Sequence, residues 1–159
     1  MVTQMAELNE NKVQNKPVFS EFLNKMDQYL FRKNLKQTDQ RKLIGKKFLE
    51  MEAHVDADDL YFAAVKHDPN IGRATIYRTM NLLKEAGLVH QHTFAYGKAV
   101  FEIAEPDEHH DHLICVQCRS IINFKNEKIE ELQNQVALEK GFVLTSHRMD
   151  LYGSCQDCK

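Results

Sequence analysis

All four cysteines of this 159-residue chain stand in two pairs of identical spacing, Cys115-Val-Gln-Cys118 and Cys155-Gln-Asp-Cys158. Two residues between thiols let both sulfurs of a pair reach one ion at about 2.3 Å, so two such knuckles form the tetrahedral thiolate set of a structural zinc site. Thiolates are soft donors and suit Zn2+. Disulfides would need an oxidising compartment, and a redox-active pair would need only one motif beside a strand–helix unit. The spacing therefore predicts structural zinc on Cys115, Cys118, Cys155 and Cys158, pinning the last residues to the segment around Cys115.

Three residues ahead of the first knuckle stands His109-His110-Asp111-His112. Extended backbone turns alternate side chains to opposite faces. His110 and His112 then share one side, His109 and Asp111 the other, so one short strand can serve two metal sites. Neither pair saturates an ion, and the distant donors must come from His54, His67, His90, His92, His147 or a carboxylate such as Glu130. Imidazole and carboxylate together suit Fe2+, Mn2+, Co2+ and Zn2+. The bland reading is a solvated histidine-rich hinge. A metal hydrolase would require an open coordination position, a general base and a shaped substrate loop. The sequence offers no recognisable base or loop of that kind, so neither catalysis nor a small-molecule substrate is expected.

The other half of the chain points to nucleic acid. The formal net charge of −2 gives no global sign of it, but Arg32, Lys33, Lys36, Arg41, Lys42, Lys46 and Lys47 crowd one segment against Asp39 alone. Helical spacing runs over Val18–Phe31, then from a Thr38 cap to about Met51, then beyond an Asp56 cap. A fourth helix over Arg73–Ala86 stops at Gly87. Two strands, Leu88–Phe94 and Ala99–Ile103, close the set as a hairpin. Helices closed by a hairpin are the layout of a winged helix. In the fourth helix Ile76, Met80 and Leu83 face inward, leaving Arg73, Thr75, Tyr77, Arg78 and Asn81 outward near its N-terminal end. Recognition helices insert that end into the major groove. Arg73 is suited to a base edge, Tyr77 to a thymine methyl or the backbone, and Arg78 to phosphate.

The expected class is α+β: an N-terminal winged helix-turn-helix domain plus a small C-terminal α/β dimerisation domain. Residues 1–17 read as an arm, 18–104 as the DNA-binding domain, 105–108 as a hinge around Pro106, and 109–159 as the dimerisation and metal-binding domain. The second domain is predicted as strands over His112–Val116 and Ile121–Phe124, a helix over Glu127–Lys140, and a strand over Phe142–Tyr152. Domains this small bury little surface alone, which is where metal or dimerisation helps. No apolar run reaches the roughly 18 residues of a membrane span, and residues 1–16 do not look like a signal peptide. A cytoplasmic protein with no membrane partner is expected.

With both halves in view, the chain resembles the ferric uptake regulator (Fur) family from about Leu35 to Cys158. The resemblance rests on Leu35-Lys36-Gln37-Thr38-Asp39-Gln40-Arg41, His54-Val55-Asp56-Ala57-Asp58-Asp59-Leu60-Tyr61 and Ala74-Thr75-Ile76-Tyr77-Arg78. It continues through Glu108-His109-His110-Asp111-His112-Leu113-Ile114-Cys115 and Leu144-Thr145-Ser146-His147. It implies a homodimer of winged helices on an inverted-repeat operator in double-stranded DNA, repressing iron-acquisition genes as Fe2+ rises. It also implies a regulatory site on His54, Glu102, His110 and His112, bridging the halves, and a further site on His109, Asp111, Glu130 and His147. Lys36 matches the family's minor-groove lysine, and Tyr77 and Arg78 its major-groove contacts. Relatives include iron, zinc, manganese and peroxide sensors. The peroxide sensors tend to carry Asp where Glu102 stands, which favours iron, with Mn2+, Co2+ or Zn2+ as substitutes. Peroxide or zinc sensing is the alternative within the family, and a metal-dependent hydrolase or metal-storage protein the alternative outside it. Asn123 departs from the acidic ligand of many relatives, and the first 20 or so residues extend beyond the usual start.

Overall fold

Apolar spacing decides the first helices. Helix α1 (Phe19–Arg32) buries Phe22, Met26, Tyr29 and Leu30, one stripe at helical period. Helix α2 (Asp39–Glu50) begins at Thr38, whose hydroxyl accepts from the Arg41 amide at 3.3 Å, satisfying one of the donors a helix start leaves open. Gly45, buried within α2, faces the Phe22 ring of α1, which a Cβ there would meet at 3.4 Å. The computed structural model describes residues 19–51, 54–104 and 109–159, in two compact units that divide between Glu105 and Pro106. The expected arm (1–17) and hinge (105–108) lie outside the described residues.

The first unit continues with strand β1 (Val55–Asp56), helix α3 (Ala57–Val65) and helix α4 (Arg73–Glu85). Asp56 caps α3 through its side chain, which accepts from the Asp58 amide at 2.7 Å. Helix α4 ends in a Schellman turn: Leu88 N–H bonds the Leu83 carbonyl and Gly87 N–H the Lys84 carbonyl, each at 2.9 Å. Gly87 sits at φ +70°, a conformation that costs glycine nothing. Strands β2 (Val89–Thr93) and β3 (Ala99–Ile103) follow as an antiparallel hairpin, and β1 pairs the other edge of β3. The core joins Phe22, Met26, Ile44, Phe48, Leu60, Ile76, Met80, Leu83 and Phe101. This is the helices-plus-hairpin arrangement of a winged helix. Strand β1, only two residues long, carries too little alternation to be read from sequence.

In the second unit β4 (Asp111–Cys115) is central, with β5 (Ile121–Phe124) antiparallel on one side and β6 (Asp150–Gly153) parallel on the other. Helix α5 (Glu127–Glu139) connects β5 towards β6 and is capped by Asn126, which accepts from the amides of Lys128 and Ile129. The strand expected over Phe142–Tyr152 needs correcting, since the strand there is confined to Asp150–Gly153. A ladder needs a neighbour, and among the described residues no strand pairs with 142–149. No helix among the described residues is long and apolar enough to cross a membrane.

Leu60 is fully buried between these helices. Leu60→Ala should lower the stability of the first unit by roughly 2–5 kcal/mol, from lost transfer energy and the cavity left behind. Denaturant unfolding followed by circular dichroism checks this; an unchanged midpoint would contradict the packing described.

Candidate metal centres and DNA-facing helix

The four cysteines converge in the second unit. Cys115 closes β4, Cys118 lies in the turn after it, and Cys155 and Cys158 flank a short 3-10 turn (Gln156–Cys158) beyond β6. All four are free thiols, with their sulfurs within 4.8 Å of one another. Cys118 and Cys155 Sγ are 3.7 Å apart. Four sulfurs at 2.3 Å around one ion would stand about 3.8 Å apart, the edge of that tetrahedron, whereas a disulfide closes to about 2.05 Å. The donor set and spacing therefore fit a tetrahedral ion. Backbone amides of Cys118, Cys155 and Gln117 donate to Cys115 and pull its thiol down to about 6. Hydrogen bonding to Cys155 and Cys118 pushes the Cys158 thiol up to about 12. Of the cysteines, Cys158 is thus the one held towards its protonated form.

The second cluster follows from the alternation of β4. Asp111 is 1% exposed, and its ligand oxygens join His109, Glu130 of α5 and His147 in one group within 4.8 Å. The Nε2 atoms of His109 and His147 converge at 2.6 Å. His109 Nε2 lies 3.5 Å from Asp111 Oδ1, and His147 Nε2 lies 3.7 Å from Asp111 Oδ1 and 3.4 Å from Glu130 Oε1. These are longer than the usual range of about 2.7–3.2 Å for an N–H···O hydrogen bond. They are close to the roughly 3.4 Å separating nitrogen and oxygen ligands that share one ion at about 2.1 Å. Both Asp111 carboxylate oxygens and Glu130 Oε1 are buried with no hydrogen-bond partner, a costly arrangement that a cation would relieve. The residues fit a divalent metal.

The regulatory-site candidates divide between the units. In the first, β1 pairs Val55 with Phe101, so His54, one residue earlier, falls opposite Glu102. His54 Nε2 stands 3.2 Å from Glu102 Oε2, with side chains 8% and 5% exposed. A buried carboxylate beside an imidazole fits a divalent cation by donor chemistry. In the second unit His112 is buried, and its Nδ1 meets Asp150 Oδ1 at 3.2 Å across the parallel β4–β6 register, while Arg148 holds Asp150 Oδ2 at 2.6 Å. An imidazole held through Nδ1 presents Nε2 to a ligand. The His110 ring meets that of His112 edge-on, centroids 5.4 Å apart. Asn123 is the cross-strand partner of His112.

On α4, Ile76, Thr79, Met80, Leu82 and Leu83 are buried, while Arg73, Tyr77, Arg78 and Asn81 are exposed and Thr75 is half-buried. Arg78 donates to Thr75 Oγ1 at 3.4 Å. Arg73 is engaged within the protein: Nε donates to Asp58 at 3.0 Å, and the guanidinium lies 4.2 Å from the Tyr61 ring centroid. That contact, with the charge of Lys98, holds the Asp58 carboxyl below its ordinary range. Lys36 is exposed at the turn before α2, and its carbonyl accepts from the Arg41 guanidinium. Sequence reasoning gave no role to Asp58 or Asp150, and named His92 only among the possible distant metal donors. Cross-strand pairing, which places each of the last two beside a candidate ligand, was the signal available for them.

Three comparisons bear on this arrangement. The ferric uptake regulator family model matches residues 32–152. The ferric uptake regulation protein of Yersinia pestis is 47% identical over 103 residues, 65% of this chain and 69% of that protein. Its counterpart in Rhizobium leguminosarum bv. viciae is 40% identical over 121 residues, 76% of this chain and 84% of that one. The structure of the Helicobacter pylori ferric uptake regulator, described as having three functional metal-binding sites, superposes with a TM-score of 0.82 at 26% identity. That superposition covers 90% of this chain and 95% of the other. The chain belongs to the ferric uptake regulator family, whose members are metal-dependent, DNA-binding transcriptional repressors and not enzymes.

Proposed function

We propose that this metal-dependent repressor responds to Fe2+, binding an inverted-repeat operator as a homodimer and silencing iron-acquisition genes when the ion is plentiful. The observation that carries this reading is the buried His54–Glu102 pair inside the DNA-binding unit, Nε2 to Oε2 3.2 Å. Two donors do not complete a coordination shell. His110 and His112 are the proposed remainder, as the family resemblance implies. What a divalent ion supplies there is a cross-link among donors from both units. His54 and Glu102 on one side and His110 and His112 on the other would then restrain the spacing of two recognition helices to one the operator accepts. Glu102 and the imidazoles suit Fe2+, and equally admit Mn2+, Co2+ or Zn2+ as substitutes in vitro.

The dimer reading is supported by surface that the single chain leaves open. Helix α5 buries none of its residues, although Ile129, Leu132 and Val136 share one face. They line, with Phe142, Val143 and Met149, an open groove of about 850 Å³. Val143 is 83% exposed, and a continuous apolar face of this kind is characteristic of an interface. DNA contact is assigned to Tyr77, Arg78 and Thr75 on α4, to Lys36, and to Arg73 once it leaves Asp58. Cys115, Cys118, Cys155 and Cys158 are assigned to structural Zn2+. His109, Asp111, Glu130 and His147 form a further metal site.

Zinc loading must displace the proton held on Cys158, so binding at pH 7 should release protons, measurable as a buffer-dependent calorimetric heat; a buffer-independent heat would contradict the thiolate assignment. Cys158→Ala should lose zinc and the cooperative unfolding of the second unit, whereas a variant keeping both refutes it. His110→Ala should need far more metal to bind operator while keeping its structural zinc. Unchanged metal dependence in a gel-shift titration would remove His110 from the site.

A further inference from the structure

Glu102 is 4% exposed and meets two histidines through different oxygens. His54 Nε2 approaches Oε2 at 3.2 Å, and His92 Nε2 approaches Oε1 at 2.6 Å. His92 has no role in the proposed ligand set. We propose that His92 is a positioning residue of the regulatory site, holding Glu102 so that Oε2 alone is presented beside His54. The inference rests on the reading of His54 and Glu102 as metal ligands.

The sheet register explains how His92 reaches its partner. Strand β2 pairs His90 with Glu102 and His92 with Val100, so His92 is the diagonal neighbour of Glu102 on the same face, within reach of a long side chain. Its ring is seated by stacking on Phe94, with centroids 5.8 Å apart and planes 19° from parallel. That seat fixes where Nε2 points. At 2.6 Å the contact is within hydrogen-bond distance, and bonds to an ionised carboxylate are among the stronger ones. With Nε2 engaged by Oε1, the same nitrogen is not a metal ligand in this geometry. Glu102 then acts as a one-oxygen ligand whose second oxygen is fixed by the protein. Residues that orient ligands in this way typically govern metal affinity without touching the ion.

The test uses full-length protein with its thiolate site loaded, in a His147→Ala background so that the further metal site does not titrate. Co2+ affinity is measured by chelator competition and the ligand set by the visible Co2+ spectrum. His92→Phe keeps a ring against Phe94 but removes the donor. It should weaken Co2+ binding roughly 10- to 100-fold with the band pattern unchanged. His92→Gln, whose amide N–H can reach Oε1, should recover most of the loss. If His92→Phe does not fold, His92→Asn, too short to reach Oε1, takes its place. Wild-type affinity in His92→Phe overturns the proposal. So does His92→Gln binding as weakly as His92→Phe, which would make the ring merely structural, or a changed spectrum, which would make His92 a ligand. Glu102→Ala separates the two levels. If it binds as wild type, the regulatory-site reading falls and this inference with it; if it loses Co2+ while His92→Phe does not, the His92 inference alone falls.

Discussion

Successive side chains of a β-strand point to opposite faces, and the second unit depends on what β4 does with that constraint. Within five residues the strand turns Asp111 towards His109, Glu130 and His147, turns His112 towards Asp150, and ends at Cys115 among the thiols. Both Asp111 and His112 are buried, which an unpaired strand in water could not achieve. β5 and β6 hydrogen-bond its two edges and hold it in place. A slip of one residue in the β4 register would exchange the two ligand faces, which is why the strand is held on both sides.

Buried polar groups of this kind make poor sense as stabilising features of an apolar core. Asp111 has two buried oxygens without hydrogen-bond partners, and each such atom carries a desolvation cost that only a partner offsets. The four sulfurs follow the same logic, because they are spaced for an ion and too far apart for disulfides. In the first unit the carboxylate of Glu102 is instead divided between two histidines. An ion shared among its members would satisfy each donor set, and would couple cation binding to folding.

Much of this was legible in the sequence because it rests on period and spacing. The Thr38 and Asp56 caps, the stop at Gly87, the hairpin and the two-sidedness of His109–His112 each follow from local rules that the fold does not override. The family resemblance carried the ligand sets, and the geometry brings His109, Asp111, Glu130 and His147 together in one cluster and His54 against Glu102. What was not legible depends on neighbours distant in sequence. The strand expected over 142–152 shortens to Asp150–Gly153 for want of a partner along 142–149. Arg73, outward on α4 as its position dictates, is drawn onto Asp58 and Tyr61 by contacts no periodicity reveals. His92 shows its importance only when β2 is laid against β3. Asp150 does so only when β6 is laid beside β4.

On the reading proposed above, occupancy of the His54–Glu102 site governs DNA binding. Its most direct measurement is fluorescence anisotropy of an inverted-repeat operator, under anoxic conditions, as Fe2+ is titrated into protein whose thiolate site stays loaded. Operator affinity should rise steeply with Fe2+, saturate at two protomers per operator, and fall back when the ion is chelated. Operator affinity that is the same with and without Fe2+, in protein with an intact thiolate site, would contradict it.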